Sequence, residues 1–474
     1  MGEGNLKPAL VVGAILGLPV LVYLTFSHLA YFTQPAFIGG LLVLECLLAA
    51  AWFYRRVFFP LVLVSFLLAG VDLPLGGGWI IARWIFLGAG ALFGSFIMLK
   101  DRGYHFGLFH TLAAFSVLAA TVSAAVSRFP EHALLKAFSL FLLFAYASTG
   151  ARLSVMGREN RFFTGLVVGC EVFIIAIGGF YFLGIELMGN PNSLGAVACV
   201  SAPILLWGIL VEENQFVRRR RGVVYALCMY LTFHSGARAA IAAAVVSCGL
   251  LCFGLRKYRM LVQGMVIILI LAATSAIFDP SGFSDRVSSL TASIVFKGKD
   301  PTLGVLESRL SPWQAAADSI RAHFWFGTGF GTADNGQDAS EHAGNLAAAS
   351  SVGLSENGSS FLAITAWVGV GGVLPFVLLL LVLLGKVART LIWMRKTGIA
   401  CHPAVPLAMV VVAGLVHACF EDWLFAVGYY LCVFFWSLAL VLVDVAPSRP
   451  FLEMTHSWQP AMPQQTVGSV VPSQ

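Results

Sequence analysis

Apolar runs of about twenty residues, following one another along the chain, constrain this sequence more than any other feature. A run of that length crosses the ~30 Å hydrocarbon core of a bilayer as a helix. Fourteen can be read, at 8–27, 35–54, 57–75, 79–99, 107–126, 132–149, 162–185, 193–211, 222–235, 237–254, 260–278, 359–384, 403–420 and 424–445. Backbone groups inside such runs must pair within the segment, so helices are the expected form. Hydrophobic residues make up 59% of the 474 and charged residues only 11%, which leaves too little polar surface to clothe a water-soluble fold. An all-α, polytopic membrane bundle of about 14 transmembrane helices, range 12–14, is expected. The first run has no small-residue cleavage site behind it and reads as a retained helix. The short pair around His234-Ser235-Gly236 reads as two spans or as one bent or re-entrant element.

One stretch breaks the pattern. Residues 279–358 are polar and Gly-rich, and divide the chain into helices 1–11 over 1–278, an extracytoplasmic loop over 279–358, helices 12–14 over 359–446, and a Pro/Gln/Ser/Val tail over 447–474 read as disordered. Within the loop, Ser311-Pro312-Trp313-Gln314 reads as a capping box, with Ser at the N-cap, Pro at the first helical position and Gln reaching back. A helix is expected to start there. Trp313, Ala316, Ala317, Ile320 and Phe324 share one face of it, so it is expected to lie on an apolar surface, the outer mouth of the bundle. Gly327-Thr328-Gly329-Phe330-Gly331 follows as a turn. No Gly-Lys-Ser/Thr comes after it, which excludes a P-loop. All nine Cys lie in or beside apolar runs and none in the loop, so neither disulfides nor a Cys–metal site is expected.

The net charge of +6 does not point to nucleic acid, because of where it sits. Arg55-Arg56, Lys100/Arg102, Arg152/Arg158/Arg161, Arg218 to Arg221, Arg256/Lys257/Arg259 and Lys386/Arg389/Arg395/Lys396 fall in alternate connections and, with Lys7 and Arg449, account for 20 of the 29 Lys and Arg. Basic residues stay on the cytoplasmic side. Both termini are therefore expected to be cytoplasmic, and the long loop, with nine acids against five bases, to face outward.

Four basic residues outside the loop go against that trend: Arg83, Arg128, Lys136 and Arg238. A cation near the apolar zone is costly unless it is paired or lines a wet cavity, so the default reading is functional. The structural alternative is snorkelling, or an ion pair with Glu131, Glu186 or Asp72. Several Arg at headgroup depth on one side suit a phosphate or diphosphate ligand, because guanidinium gives permanently charged, bidentate donors. A polyprenyl diphosphate fits that description. Glu45 and Glu171, inside spans, read as candidates for a proton path.

The order of motifs resembles the O-antigen ligase and O-antigen polymerase superfamily of bacterial envelope glycan enzymes. The matching pieces are Asn190-Pro191-Asn192-Ser193-Leu194-Gly195, Ser235-Gly236-Ala237-Arg238, Arg309 with Trp313, Gly327-Thr328-Gly329-Phe330-Gly331, and Ser360-Phe361-Leu362 followed by Trp367-Val368-Gly369-Val370-Gly371-Gly372. They span roughly residues 185–440. The resemblance implies an inner-membrane glycosyltransferase that moves or polymerises a glycan from a polyprenyl-diphosphate carrier onto an acceptor sugar hydroxyl, without nucleotide sugar, metal or other cofactor. Its implied partners are the lipid-linked donor, a glycan or lipid A core acceptor, membrane lipids and other envelope-assembly proteins. Arg238 and Arg309 would be catalytic, and Arg83, Arg128, Asn190, Asn192, Trp313, His342, His417 and Glu421 would bind substrate.

The sequence departs from this family at one point. Many members carry His-Asn before the span that follows the loop, and this chain has Glu356-Asn357-Gly358. Attack by a sugar hydroxyl needs a base within hydrogen-bond reach, and an ionised carboxylate serves. Glu356 takes the role by position, with His342 as the runner-up. As a structural feature Glu356 would be an acid capping the next helix. His417 and Glu421, four apart, have metal-compatible spacing, but no third ligand is assigned and polar lining of the outer cavity is the reading taken. A transporter or flippase of lipid-linked oligosaccharide is the competing class. No inverted repeat supports it, and an 80-residue outer loop has little use in it. A non-catalytic scaffold for envelope assembly is the third reading.

Overall fold

A computed structural model describes residues 54–70, 76–100, 106–185, 187–188, 191–278, 307–332 and 358–447. The spans read at 8–27 and 35–54, most of the loop, and the tail after 447 lie outside them. Among the described residues the regular structure is helical throughout. It consists of α1 (Tyr54–Ala69), α2 (Gly76–Lys100), α3 (Leu108–Ala125), α4 (Pro130–Tyr146), α5 (Arg152–Val155), α6 (Glu159–Phe182), α7 (Pro191–Val211), α8 (Gln215–His234), α9 (Arg238–Gly254), α10 (Tyr258–Phe278), α11 (Glu307–Ala322), α12 (Ser360–Thr397), α13 (Ala404–Ala418) and α14 (Tyr430–Val445). Six helical segments in the described residues are long and apolar enough to cross a membrane, among them Pro130–Val155, in which a π turn, Ala147–Ala151, joins α4 to α5. The chain is a multi-pass membrane bundle.

The centre of the bundle is α13 and α14. Nearly every residue of both is buried, including Trp436 and Phe435, so an all-round apolar sequence here marks a helix surrounded by others. The outer helices α2, α3 and α6 instead leave Leu92, Phe115 and Val172 more than half exposed, as lipid-facing helices do.

Three boundaries differ from the sequence reading. The helix expected to begin at the Ser311 cap begins one turn earlier, at Glu307, and contains Pro312. A cap is worth about 1 kcal/mol, and here it yields to an ion pair made by Arg309 in the added turn. The four Arg from 218 to 221, read as a connection, lie on α8. Arg221 is 6% exposed and Glu171, inside α6, takes both Arg220 (2.6 Å) and Arg221 (2.8 Å). Glu171 therefore anchors an ion-pair cluster, with Glu212 also on Arg221 at 2.9 Å, rather than standing on a proton path. The span read as ending at 384 runs on to Thr397 and carries Lys386, Arg389, Arg395 and Lys396 on helix. The pair around His234 is two helices, α8 and α9, joined by the turn Ser235-Gly236-Ala237.

At the end of the bundle opposite α11, Arg152 is 2% exposed and pairs with Asp444 through two nitrogens. Lys386 Nζ donates to the Val443 carbonyl at 2.9 Å. These contacts tie α5 and α12 to the end of α14.

Candidate active site

Gly369 makes the first element of the site. In α12 its φ of 70° and ψ of 175° break the helix, a conformation essentially restricted to glycine. The break frees the carbonyls of Ala366 and Trp367 and the amides of Val370 and Gly371. Inside a membrane such groups need partners from the protein. The segment after α11 provides them all: Thr328 N donates to Ala366 (3.0 Å), Gly329 N to Trp367 (3.1 Å), Val370 N to Phe324 (2.8 Å) and Gly371 N to Trp325 (3.2 Å). Ser123 Oγ adds a 2.6 Å bond to the Trp367 carbonyl. The two Gly-rich motifs of the sequence are therefore the two halves of one joint.

The far side of that turn is held by the connection between α3 and α4 and by α4 itself. Ser127 Oγ donates to the Thr328 carbonyl at 2.8 Å and Lys136 Nζ to the Gly331 carbonyl at 2.5 Å. Lys136, one of the four stray cations, is thus a structural anchor. With this seat fixed, α11 lies against α12. Ala316 is 1% exposed, Trp313, Ala317 and Ile320 are half-buried, and Trp313 Nε1 donates to the Gly358 carbonyl at 3.1 Å. The expected apolar face is there, except that Phe324 falls beyond the helix end and is exposed.

Around α11 the helix ends converge. Arg309, on its first turn, forms an ion pair with Glu421 in the connection between α13 and α14. The Glu421 carbonyl accepts from Ser360 N (3.0 Å) and Ser360 Oγ (2.6 Å), and Ser360 Oγ in turn accepts from Leu424 N (3.1 Å). One serine at the start of α12 thereby fixes the Glu421 turn. His417, at the end of α13, is 2% exposed, and its Nδ1 accepts the indole N–H of Trp423 at 2.8 Å. Tyr430, opening α14, donates its hydroxyl hydrogen to the Ser193 carbonyl at 3.1 Å, which brings in the start of α7. There, a Cβ at Gly195 would stand 2.7 Å from Ser235 Oγ and 2.8 Å from the Ala237 Cβ. Only glycine lets α7 approach the turn that carries Arg238. Arg238 is half-buried and opens α9 from that turn.

Of the residues named from sequence, Arg238, Arg309, Trp313, Asn192, His417 and Glu421 sit on elements that meet at this end. Arg83 is at the same end but is 4% exposed. Its Nη1 donates to the Gly428 carbonyl at 2.9 Å and its guanidinium lies 5.2 Å from the Trp84 ring and 5.6 Å from the Phe66 ring, so it ties α2 to the connection before α14. Arg128 is exposed, 5.7 Å from the ring of its neighbour Phe129. Glu356, His342 and Asn190 lie outside the described residues. His417 meets Trp423 through Nδ1, and the Glu421 carboxylate meets Arg309. The described residues contain no group of three or more metal-ligating side chains. Trp423 and the organising role of Ser360 were missed from sequence. The clue to Trp423 was an indole among acids at a span end, where its N–H needs an acceptor.

An apolar cavity of about 360 Å³ opens between α1, α6, α7 and α14, lined by Phe59, Leu63, Phe162, Phe173 and Val197 and reaching Tyr430 at the edge of this cluster.

Residues 223–377 match the O-antigen ligase family model. The matched region, about a third of the chain, runs from within α8 through α9, α10 and α11 to just past the Gly369 break. It contains Arg238, Arg309 and both halves of the Gly-rich joint. Over those residues the chain is similar to O-antigen ligases. No curated protein matches the chain.

Proposed function

We propose that the chain transfers or polymerises a glycan from a polyprenyl-diphosphate carrier onto an acceptor sugar hydroxyl, at the outer face of a bacterial inner membrane, for surface polysaccharide. In this reading both termini are cytoplasmic and α11 faces the periplasm. The observation that carries it is that Arg238, at the turn against which Gly195 packs, and Arg309, held by Glu421, stand on elements that converge at one end of the bundle. Two guanidiniums at one end of the bundle suit a ligand with two phosphates. The starts of α7, α9, α12 and α14 meet at the same place, and each helix N-terminus carries a partial positive charge of about +0.5. The apolar cavity that ends at Tyr430 suits a prenyl chain.

The reaction follows from that placement. The acceptor oxygen attacks the anomeric carbon while the bond from that carbon to the diphosphate oxygen breaks. The proton passes to a base, assigned to Glu356 with His342 as the alternative. The bonding electrons leave with the polyprenyl diphosphate, whose growing negative charge Arg238 and Arg309 stabilise. Glu421 holds Arg309 in position until the ligand competes for it.

The test replaces Arg238 and Arg309, each by Lys, and follows transfer of glycan from purified lipid-linked donor. Lys keeps the charge and loses the planar fork, so transfer falls strongly while the protein remains at normal levels in the membrane. Wild-type turnover in both variants removes the pair from the site.

A further inference from the structure

His417 has one ring nitrogen accounted for and one not. Indole is a donor only, so the 2.8 Å contact from Trp423 Nε1 makes Nδ1 an acceptor and places the imidazole proton on Nε2. The same contact keeps the ring neutral, because an imidazolium would face the indole with a second N–H. The Nε2–H is buried and has no hydrogen-bond partner among the described residues. A buried donor left unpaired is costly and uncommon. His417 lies on the last turn of α13, four residues before Glu421, the acid that holds Arg309.

We infer that His417 is a third donor to the carrier diphosphate: a neutral imidazole, locked by Trp423 with its proton on Nε2, that binds a phosphate oxygen beside Arg309. The inference rests on the proposed diphosphate reading and adds to it a residue beyond the matched family region, which ends at 377. Guanidiniums supply charge, and the locked imidazole supplies direction. A neutral N–H donor keeps the same strength across the pH range in which an ordinary His would titrate. Trp423 acts through His417, as a positioning residue.

The experiment uses the full chain in nanodiscs, titrated with a polyprenyl diphosphate that carries no glycan. Wild type, Arg309→Lys, His417→Leu, His417→Gln and Trp423→Phe are compared, and ¹⁵N spectra of the His417 ring are recorded for wild type and Trp423→Phe. His417→Leu weakens binding about tenfold or more, the effect of one lost hydrogen bond to a charged group. His417→Gln retains most of the affinity, since its amide N–H reaches towards the place of Nε2–H. The wild-type ring shows the Nε2–H form, and Trp423→Phe gives a mixture of tautomers with weaker binding. Three results overturn the inference. The first is equal loss in His417→Leu and His417→Gln, which marks a packing role. The second is unchanged affinity in His417→Leu or, if that variant does not fold, a wild-type ring protonated on Nδ1. In that case weaker binding by Arg309→Lys leaves the diphosphate reading standing. The third is no binding by wild type, which removes the inference together with the reading beneath it.

Discussion

The amide of Val370 donates to the carbonyl of Phe324 at 2.8 Å, across a break in α12 that Gly369 creates. With its three companion bonds it fixes the segment that follows α11 to the middle of a membrane helix, and so fixes how Arg309 is presented. The position of the guanidinium therefore depends on a glycine sixty residues away in sequence.

Gly369→Ala tests that dependence. A side chain in this backbone region costs about 1–3 kcal/mol, and the added Cβ would also run into the backbone of Trp325. Thermal unfolding in detergent is expected to shift down, with transfer lost more steeply than folded protein. A variant of normal stability and activity would show that the joint is dispensable.

Asp444→Ala addresses the opposite end. It leaves Arg152 buried without its carboxylate, a change that costs about 3–5 kcal/mol when a buried pair is broken. Membrane levels and thermal stability are expected to drop well below those of Arg152→Met/Asp444→Leu, which removes both charges together. Equal stability of the single and double variants would contradict a buried pair.

These two regions differ in how far they could be read from sequence. The Gly-Thr-Gly-Phe-Gly turn and the Gly-Val-Gly-Gly run were both visible, but their interlocking was not. One left-handed glycine in an unbroken apolar run leaves hydropathy unchanged, and the partner segment is forty residues upstream. The Arg218 to Arg221 run reads as a connection because four cations outweigh their apolar neighbours in any local average. The carboxylate that pairs with Arg220 and Arg221, Glu171, sits in another helix. The Ser311 cap was a sound local signal, displaced by the long-range pair of Arg309 with Glu421. Arg238 stands out in the sequence because a cation at a span end has few inexpensive fates, and Arg309 stands out through the motif resemblance. Arg83 and Lys136, chosen on the same logic, met it through carbonyl acceptors instead.

Orientation has a direct check. Single cysteines placed at Glu213 and Gly398 in a cysteine-free background are expected to resist a membrane-impermeant thiol reagent in intact cells. One at Asn335 is expected to label. Protection at Asn335 with labelling at Gly398 would invert the bundle and remove the outward-facing site.

The base is tested by Glu356→Gln, which keeps shape and most hydrogen bonding and loses basicity. A positioned base is typically worth ~10²- to 10⁴-fold in rate, and a loss in that range is expected with donor binding little changed. Glu356→His should keep partial activity, and His342→Ala should cost far less. Near-normal turnover in Glu356→Gln with collapse in His342→Ala would exchange the two assignments.

The central claim is that this chain catalyses glycan transfer from a lipid diphosphate. Purified protein in proteoliposomes, given a polyprenyl-diphosphate-linked oligosaccharide and an acceptor glycan, is expected to form the extended or ligated glycan and release polyprenyl diphosphate in equal amount, and Arg309→Lys is expected to do so far more slowly. Movement of intact lipid-linked oligosaccharide between leaflets with no new glycosidic bond would contradict it, and would make the chain a transporter.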